Sequence, residues 1–309
     1  MISPVQFATS PSGNPIWILN TRHTAYVFGV DPAGYLQHVY WGARLVHPAD
    51  YETPETYHER RAMERMPAVS REEFPLWGDY AFGEPCLKAT FADGVRTVLM
   101  QFVDSEVLPD GQTLVVRLRD PHYPLHLQLH YRVLPDHDLI ERHAVLTNTG
   151  TEPIALERVM TAAWTFPRRE RFRLRTLSGK WGGEFQVQTV EVPLGKQVVE
   201  HRRGASTFDA NPWFSLDAGD ADERQGAVWF GALAFSGNWK LVLERTAFGQ
   251  TTLTGGINDF DFGWQLAGGE GFETPVFVGG YTEGGYGAAS RLLHDYELAE
   301  VLPQPGAGE

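Results

Sequence analysis

The sequence of 309 residues contains a single cysteine, Cys86. One cysteine forms no disulfide within the chain, and it cannot supply the several thiolates of a cysteine-based metal site. Basic residues are also few, since 26 lysines and arginines stand against 39 aspartates and glutamates, for a formal net charge of −13. Such a chain repels a phosphate backbone and has no basic stripe to offset the repulsion, so we expect no nucleic-acid partner.

Membrane and export signals are absent as well. No apolar run approaches the roughly 20 residues that a helix needs to span a bilayer. Residues 1–14 lack the basic segment and the following apolar segment of a secretory signal. We therefore expect a soluble cytoplasmic protein with no membrane partner.

The common catalytic motifs are missing. The sequence has no Gly-x-Ser-x-Gly nucleophile turn, no glycine-rich phosphate loop ahead of a helix and no His-Glu-x-x-His zinc motif. We predict that the chain holds no metal and no cofactor.

The chain is rich in residues that favour strands and turns. It has 9 tryptophans, 18 phenylalanines and 11 tyrosines beside 32 glycines and 20 prolines, and 42% of its residues are hydrophobic. Aromatic side chains favour strands, and glycine and proline favour tight turns. This composition predicts a globular protein built from many short strands.

Apolar and polar residues alternate along much of the sequence. In residues 125–133, Leu, Leu, Leu, Tyr and Val alternate with His, Gln, His and Arg. Successive side chains of a strand point to opposite faces, so this pattern predicts a strand with one packed and one wetter face. Further β-rich runs are 16–19, 25–30, 35–41, 87–91, 113–118, 140–146, 185–192, 227–235 and 240–244.

Turn residues separate these runs, and no helical pattern intervenes between them. This arrangement predicts an all-β fold of antiparallel sheets. The strands are too numerous for one immunoglobulin-like sandwich, so we expect a larger two-sheet arrangement. Two regions depart from the pattern: residues 48–73 predict a projecting loop with one helical turn, and 286–301 predict a C-terminal helix.

Three histidines, His122, His126 and His130, recur at a spacing of four and would share one strand face. A metal site is one interpretation, but Pro124 interrupts the run and residues two apart on a strand are already about 7 Å from each other. We favour a solvated or polar-packed face.

Paired acids offer a second hypothesis, because glycosidases use two carboxyl groups about 5–10 Å apart. The pairs are Asp136 with Asp138, Asp259 with Asp261, and Glu72 with Glu73. The first pair has a turn composition, in which aspartates commonly cap their own backbone. The second alternates with phenylalanines, which predicts a shared strand face. We favour a structural role for each pair.

Several segments, in the right order, resemble the domain that precedes the barrel in family 36 glycoside hydrolases. They are Gly34-Tyr-Leu-Gln-His-Val-Tyr-Trp-Gly42, Phe74-Pro-Leu-Trp-Gly-Asp-Tyr80, Arg202-Arg-Gly-Ala-Ser206 with Asn211-Pro-Trp-Phe214, Phe235-Ser-Gly-Asn238, and Gly256-Ile-Asn-Asp-Phe-Asp-Phe-Gly-Trp264. The resemblance spans residues 34–301. It implies a large antiparallel β-supersandwich, similar to that of galactose mutarotase, with a C-terminal helix that leads to a linker.

The resemblance also implies that the catalytic residues lie in a different domain. Family members continue into a (β/α)8 barrel that carries both catalytic aspartates of a retaining α-galactosidase. Those aspartates have no counterpart here, so we predict an N-terminal domain at 1–301, a linker toward the barrel at 302–309, and no catalytic residue. The implied partners are a galactoside or another carbohydrate, the barrel domain and further copies of the chain.

In the family, an acid of the long early loop can contact the galactosyl group. The resemblance therefore implies that Asp50 contacts substrate, with Trp77 and Asp79 of the 74–80 segment as further candidates. For Arg202 and Arg203 we favour a structural role at a sheet or domain interface over direct contact with sugar.

Two other functions fit the sequence. The chain could be a stand-alone carbohydrate-binding module that uses its loop and its aromatic residues. It could also be an enzyme similar to an aldose mutarotase, whose chemistry requires a histidine and a glutamate that face one cleft.

Overall fold

The computed structural model describes residues 3–54, 71–78 and 83–303. In this part of the chain the secondary structure is twenty strands followed by one α-helix. The elements are β1 (Val5–Thr9), β2 (Pro15–Asn20), β3 (Thr24–Val30), β4 (Leu36–Ala43), β5 (Leu87–Thr90), β6 (Gln101–Val107), β7 (Thr113–Arg119), β8 (Leu125–Leu134), β9 (Leu139–Asn148), β10 (Ile154–Phe166), β11 (Arg173–Lys180), β12 (Gly183–Glu191), β13 (Gly195–Glu200), β14 (Trp213–Asp217), β15 (Val228–Leu233), β16 (Trp239–Arg245), β17 (Thr251–Ile257), β18 (Trp264–Leu266), β19 (Gly271–Glu273), β20 (Phe277–Thr282) and α1 (Gly285–Tyr296).

The strands form three sheets. The first has the order β1-β2-β3-β4, and the second has the order β13-β16-β17-β10-β18, with β5 also paired to β10. The third and largest has the order β12-β11-β14-β15-β20-β9-β8-β7-β6, with β19 paired to β9. Every pairing between these strands is antiparallel, as the repeated strand and turn signals predict. The predicted all-β supersandwich is confirmed.

The core follows from the alternation of apolar residues. On β8 the side chains of Leu125, Leu127, Leu129, Tyr131 and Val133 are all buried. The polar residues between them are exposed or only partly buried. Burial of apolar surface contributes about 25 cal/mol per Å², so this register strongly disfavours a slip by one residue, which would turn the apolar face outward.

Large aromatic residues fill the space between the sheets. The fully buried side chains include Trp17, Trp164, Trp229 and Trp239. The ring of Trp164 lies 4.7 Å from that of Trp41 and 5.6 Å from that of Tyr26, measured between centroids. Tilted and edge-to-face contacts of this kind favour one packing arrangement over others.

The predicted C-terminal helix is present. Helix α1 ends at Tyr296, and a π-helical turn over Glu297–Val301 continues it to the end of the predicted range. Tyr286, Ala289, Leu293 and Tyr296 form its buried face. The described residues include no helix with the length and apolar character that a bilayer span requires.

The described residues on either side of the predicted loop have defined structure. The predicted helical turn is a short 3-10 turn at Pro48–Asp50. After the return of the chain at Arg71, the His38 amide donates to the Arg71 carbonyl at 2.7 Å, and the Glu73 amide donates to the Leu36 carbonyl at 3.1 Å. Both contacts run along β4, so this segment is fixed against the first sheet. The interior of the predicted loop, residues 55–70, lies outside the described residues.

Candidate functional site

A cavity of about 370 Å³ opens beside β4. Its wall combines residues of β4, the turn that follows it, Arg71, and the end of β10 with the segment after it. The lining residues are His38, Val39, Tyr40, Trp41, Leu45, Asp50, Tyr51, Glu52, Arg71, Phe166, Pro167, Arg168 and Arg169. The cavity is large enough for a small ligand, since ligand pockets measure roughly 300–1,000 Å³.

Aromatic side chains form much of the cavity wall. Trp41 and Phe166 are buried and stack with ring centroids 5.7 Å apart. Tyr40 and Tyr51 lie 5.3 Å apart, and burial raises the pKa of both hydroxyls, so both stay neutral near pH 7. Each hydroxyl is fixed by backbone, because Tyr40 donates to the Ala43 carbonyl and Tyr51 accepts from an amide. The wall is therefore a rigid aromatic surface.

Charges of both signs surround these aromatic residues. Asp50 and Glu52 supply carboxylates, and Arg71, Arg168 and Arg169 supply guanidinium groups. The Asp50 side chain is exposed at the end of the short 3-10 turn. This mixture offers both hydrogen-bond acceptors and donors to a polar ligand.

The three predicted substrate-binding residues have different positions. Asp50 lines the cavity. Trp77 is 45% exposed and lies elsewhere, with the Lys88 ammonium 5.3 Å from the centroid of its ring. Asp79 lies outside the described residues. The cavity therefore brings together one of the predicted residues with aromatic and basic residues that the sequence did not single out.

A buried polar network lies directly behind the cavity and is centred on Glu73. Both of its carboxylate oxygens accept from the Tyr26 hydroxyl, at 2.8 and 2.9 Å, and one also accepts from the Tyr131 hydroxyl at 3.0 Å. The Arg142 guanidinium completes the network, 2.8 Å from a Glu73 oxygen. The side chains of Glu73 and Arg142 are 0% and 2% exposed.

Burial and the charge of Glu73 determine the protonation of the tyrosines in this network. Burial raises the pKa of Tyr26 and Tyr131 well above the usual value, and the negative charge of Glu73 raises it further against the opposing effect of Arg142. Both hydroxyls therefore keep their protons and donate to Glu73. Sequence reasoning grouped Glu73 with Glu72, but the fold pairs it with distant residues.

His38 connects the network to the cavity. It lines the cavity, and its Nδ1 lies 3.7 Å from a Glu73 oxygen, too far for a hydrogen bond. Burial lowers the pKa of His38, so the ring is neutral near pH 7. Apart from its place in the 34–42 motif, no sequence pattern singles out His38 as a functional residue.

The other predicted acid pairs lie in loops. Asp138 does not cap its own backbone, because its carboxylate accepts from the Thr21 hydroxyl at 2.7 Å and the His23 amide at 2.8 Å. Asp259 and Asp261 lie between β17 and β18, so the prediction of a shared strand face is wrong. A glycine-like backbone angle at Asp261, with φ of 73°, breaks the alternation there.

The Asp259 carboxylate is engaged in ion pairs. It contacts Arg158 and also lies 2.9 Å from the Lys240 ammonium. Burial alone would raise the pKa of Asp259, but these two cations outweigh burial and lower it. Asp259 therefore has a structural role: it links β10, which carries Arg158, to β16, which carries Lys240.

The three histidines do not form one row. His126 and His130 lie on the polar face of β8, whereas His122 precedes the strand. The His130 ring stacks on that of His143 with centroids 4.3 Å apart, and burial together with His143 lowers the pKa of His130 to about 4. Over residues 3–54, 71–78 and 83–303, no three candidate metal ligands cluster.

The two arginines of the 202–206 segment lie away from the cavity. Arg202 is 2.5 Å from a Glu200 oxygen, and its guanidinium stacks over the Phe260 ring at 3.8 Å. Arg203 is largely exposed, with Asp209 at 3.5 Å. The contacts of Arg202 join β13 to the loop after β17.

Residues 34–267 match the family model described as glycosyl hydrolase family 36 N-terminal domain. The chain belongs to this family. Alpha-galactosidase AgaA of Geobacillus stearothermophilus is 29% identical over 304 residues, which are 90% of this chain and 41% of that protein. Alpha-galactosidase Mel36A of Lactobacillus acidophilus is 27% identical over 310 residues, which are 91% of this chain and 42% of that protein.

Solved structures of family 36 enzymes share the fold. The family 36 alpha-galactosidase AgaB from Geobacillus stearothermophilus superimposes with a TM-score of 0.83 at 26% identity, over 94% of this chain and 43% of that one. An AgaA variant in complex with stachyose gives a TM-score of 0.83 at 27% identity, over 91% of this chain and 42% of that one. The chain thus spans about two fifths of the relatives that it matches.

Proposed function

We propose that this family 36 domain belongs to a retaining α-galactosidase that hydrolyses terminal α-galactosides when its catalytic barrel is present. The observation that carries the proposal is the match over residues 34–267, together with relatives that are named alpha-galactosidases and are more than twice as long. In this proposal residues 1–301 form the domain and 302–309 lead toward the barrel. The domain supports the barrel, the sugar pocket and the association of copies, in the cytoplasm.

The cavity beside β4 is the proposed sugar contact. The partly exposed Tyr40 ring offers an apolar face that suits the C–H faces of a pyranose, and the exposed Asp50 carboxylate can accept from sugar hydroxyls. Trp77, which does not line this cavity, and Asp79 stay proposed contacts as well.

We further propose that the domain does not hydrolyse glycosides by itself. A glycosidase requires two carboxyl groups free to act on the substrate. The three most buried acids of the described chain are instead engaged within the protein: Glu73 pairs with Arg142, Asp217 pairs with Arg173, and Asp31 accepts from the Ala33 and Tyr35 amides. Such pairing stabilises the ionised form and removes the carboxylate from proton transfer.

The same network argues against a mutarotase. His38 and Glu73 are the histidine and glutamate that lie nearest to each other beside the cavity. Glu73, however, accepts from two tyrosines and an arginine and has no exposed surface. The alternative function is a stand-alone sugar-binding module. It is supported by the cavity, because this chain forms the described cavity wall without a second domain.

Replacing Asp50 with asparagine tests the sugar contact. We expect the chain to bind galactose weakly, with a Kd near 1 mM or above, equivalent to about −4 kcal/mol. Loss of the charged acceptor should weaken binding roughly fivefold, or about 1 kcal/mol. Ligand-observed NMR titration with galactose and a methyl α-galactoside measures the change.

The matched control is Asp295→Asn, because Asp295 is an exposed acid on α1 and does not line the cavity. Its affinity for galactose should equal that of the unmodified chain. If the unmodified chain, Asp50→Asn and Asp295→Asn bind galactose with equal affinity, Asp50 does not contact the sugar.

A further inference from the structure

Two strands that are consecutive in sequence, β12 and β13, are edge strands of the two larger sheets. Strand β12 is the edge of the largest sheet, and strand β13 is the edge of the second sheet. Only residues 192–194 separate them in sequence. In the described part of the chain β12 pairs only with β11, and β13 pairs only with β16. One side of the sandwich therefore presents two open edges.

Large apolar side chains are concentrated on this side. The exposed members, here called the β12 edge surface, are Trp181, Phe185, Val187, Val190, Leu194 and Val198. Trp181 is 85% exposed and Phe185 is 62% exposed. Single exposed apolar residues are ordinary, but six of them fall within residues 181–198, on the two edge strands and the turns beside them, and such a concentration is typical of an interaction surface.

Strand β12 carries its charges, Glu184 and Glu191, only near its two ends. Native proteins place charges, prolines or short strands at sheet edges to prevent unwanted pairing. Strand β6, at the opposite edge of the same sheet, carries exposed Asp104 and Glu106, which pair with Arg117. In β12, by contrast, the six residues from Phe185 to Val190 carry no charge. The two edges of one sheet are thus built differently.

The backbone at Phe185 adds a second, independent observation. Its φ is +55°, a left-handed conformation that costs a bulky residue about 1–3 kcal/mol. The strained residue holds a phenylalanine ring out toward solvent, where it gains little from packing within this chain. Strain that is retained at an exposed aromatic residue fits a contact made with another molecule.

We propose that the β12 edge surface binds the same surface of a second copy of this chain, with the two β12 strands paired antiparallel. The inference rests on the self-association included in the proposed function, and it names the strand responsible. Identical antiparallel strands are related by a two-fold axis, so the contact closes as a dimer instead of continuing as a fibre.

The sequence of β12 is compatible with pairing to itself. In an antiparallel pair centred on Val187, Gln186 lies opposite Gln188 and Phe185 lies opposite Thr189. No acid faces another acid in this register, because Glu184 falls opposite Val190. Amide side chains that face each other can exchange hydrogen bonds across the strands. A partner rich in basic or acidic residues would find no matching charge between Phe185 and Val190.

The exposed aromatic residues add apolar contact to the backbone pairing of the two strands. With side chains of about 150–250 Å², Trp181 and Phe185 present roughly 200–350 Å² of apolar surface per copy at their 85% and 62% exposure. Each copy has a formal charge of −13, so the copies repel each other at long range. Added salt screens this repulsion, and we therefore expect the dimer to become tighter as salt rises.

Sedimentation velocity of the 309-residue chain tests the proposal across a wide concentration range at low and high salt. We expect a dimer that dissociates on dilution and is tighter at high salt. Val187→Lys should raise the dissociation constant by roughly a hundredfold, because the two-fold axis brings two like charges together. Val103→Lys, on exposed β6, is the matched control and should leave the dissociation constant unchanged.

Circular dichroism verifies that both variants fold, as expected for exposed positions. A single-chain mass at every concentration would contradict both the proposed self-association and the β12 edge surface. A dimer that persists in Val187→Lys would contradict the surface alone. A dimer that dissociates as salt rises would also contradict it. Val187→Lys should bind galactose as the unmodified chain does, whether or not it dimerises. The test of the β12 edge surface is therefore independent of the sugar site.

Discussion

Replacing Arg142 with methionine should lower the free energy of unfolding by about 3–5 kcal/mol. Arg142 is 2% exposed, and its guanidinium lies 2.8 Å from an oxygen of the buried Glu73 carboxylate. Methionine fills much of the same space but leaves a buried negative charge without a counter-charge. It also removes the bonds that Arg142 donates to the Ala163 carbonyl at 2.6 Å and the Tyr26 hydroxyl at 2.9 Å. Urea denaturation measures the change.

Two further variants separate loss of the ion pair from loss of side-chain volume. Arg117→Met removes a partly exposed arginine from its pairs with Asp104 and Glu106, and it should cost about 1 kcal/mol or less. The double variant Arg142→Met, Glu73→Gln should recover part of the lost stability, because the uncompensated charge is gone. Equal losses for Arg142→Met and Arg117→Met would contradict the role given to the buried network.

Replacing Asp217 with asparagine should lower the free energy of unfolding by about 2–3 kcal/mol. The carboxylate has no exposed surface and lies 2.8 Å from the Arg173 guanidinium. It also accepts from the Gly219 amide at 2.6 Å and from the Tyr286 hydroxyl of α1. Asparagine keeps the shape but loses the charge that these donors require. The effect should include loosening of α1, measurable by hydrogen exchange.

The cost of Asp217→Asn should depend on pH. Burial alone would raise the pKa of Asp217, but the bonds from Arg173, Tyr286 and Gly219 outweigh burial and lower it. A carboxyl group whose pKa is lowered by folding contributes its stability above the unfolded value of about 3.9, and it loses that contribution as pH falls through the folded value. The difference between the two proteins should therefore be full at pH 7 and shrink in acid.

Urea denaturation at a series of pH values measures this dependence. Asp136→Asn is the control, because Asp136 is 84% exposed and pairs only with Arg22 among the described contacts. It should change stability by no more than about 1 kcal/mol at any pH. A cost of Asp217→Asn that stays constant into acid would show that the charge of Asp217 is not what matters.

The fold was predictable because its strongest signal is local. Alternation on β8 depends only on neighbouring residues, and the structure buries the predicted face. Strands with weaker alternation were missed, including β13 and the exposed edge strand β6. The C-terminal helix was predictable for the same reason, because the helical spacing of small and apolar residues is local, and α1 with its π-helical turn reaches Val301.

The buried network was not predictable because its members are far apart in sequence. Glu73 contacts Tyr26, Tyr131 and Arg142 only after the first sheet packs against the largest sheet. Sequence neighbours suggested a different partner, Glu72. The resemblance to family 36 directed attention to Asp50, which lines the cavity, but nothing in the sequence indicated that Tyr51 and Arg168 line it as well.

The central claim is that this domain contributes sugar contacts and structure but no hydrolytic machinery. The rate of p-nitrophenol release from p-nitrophenyl α-galactoside by the purified chain tests it most directly. We predict release equal to that in buffer without protein. Release above that rate, abolished when one of the chain's own carboxylates such as Asp50 is replaced by its amide, would contradict the claim.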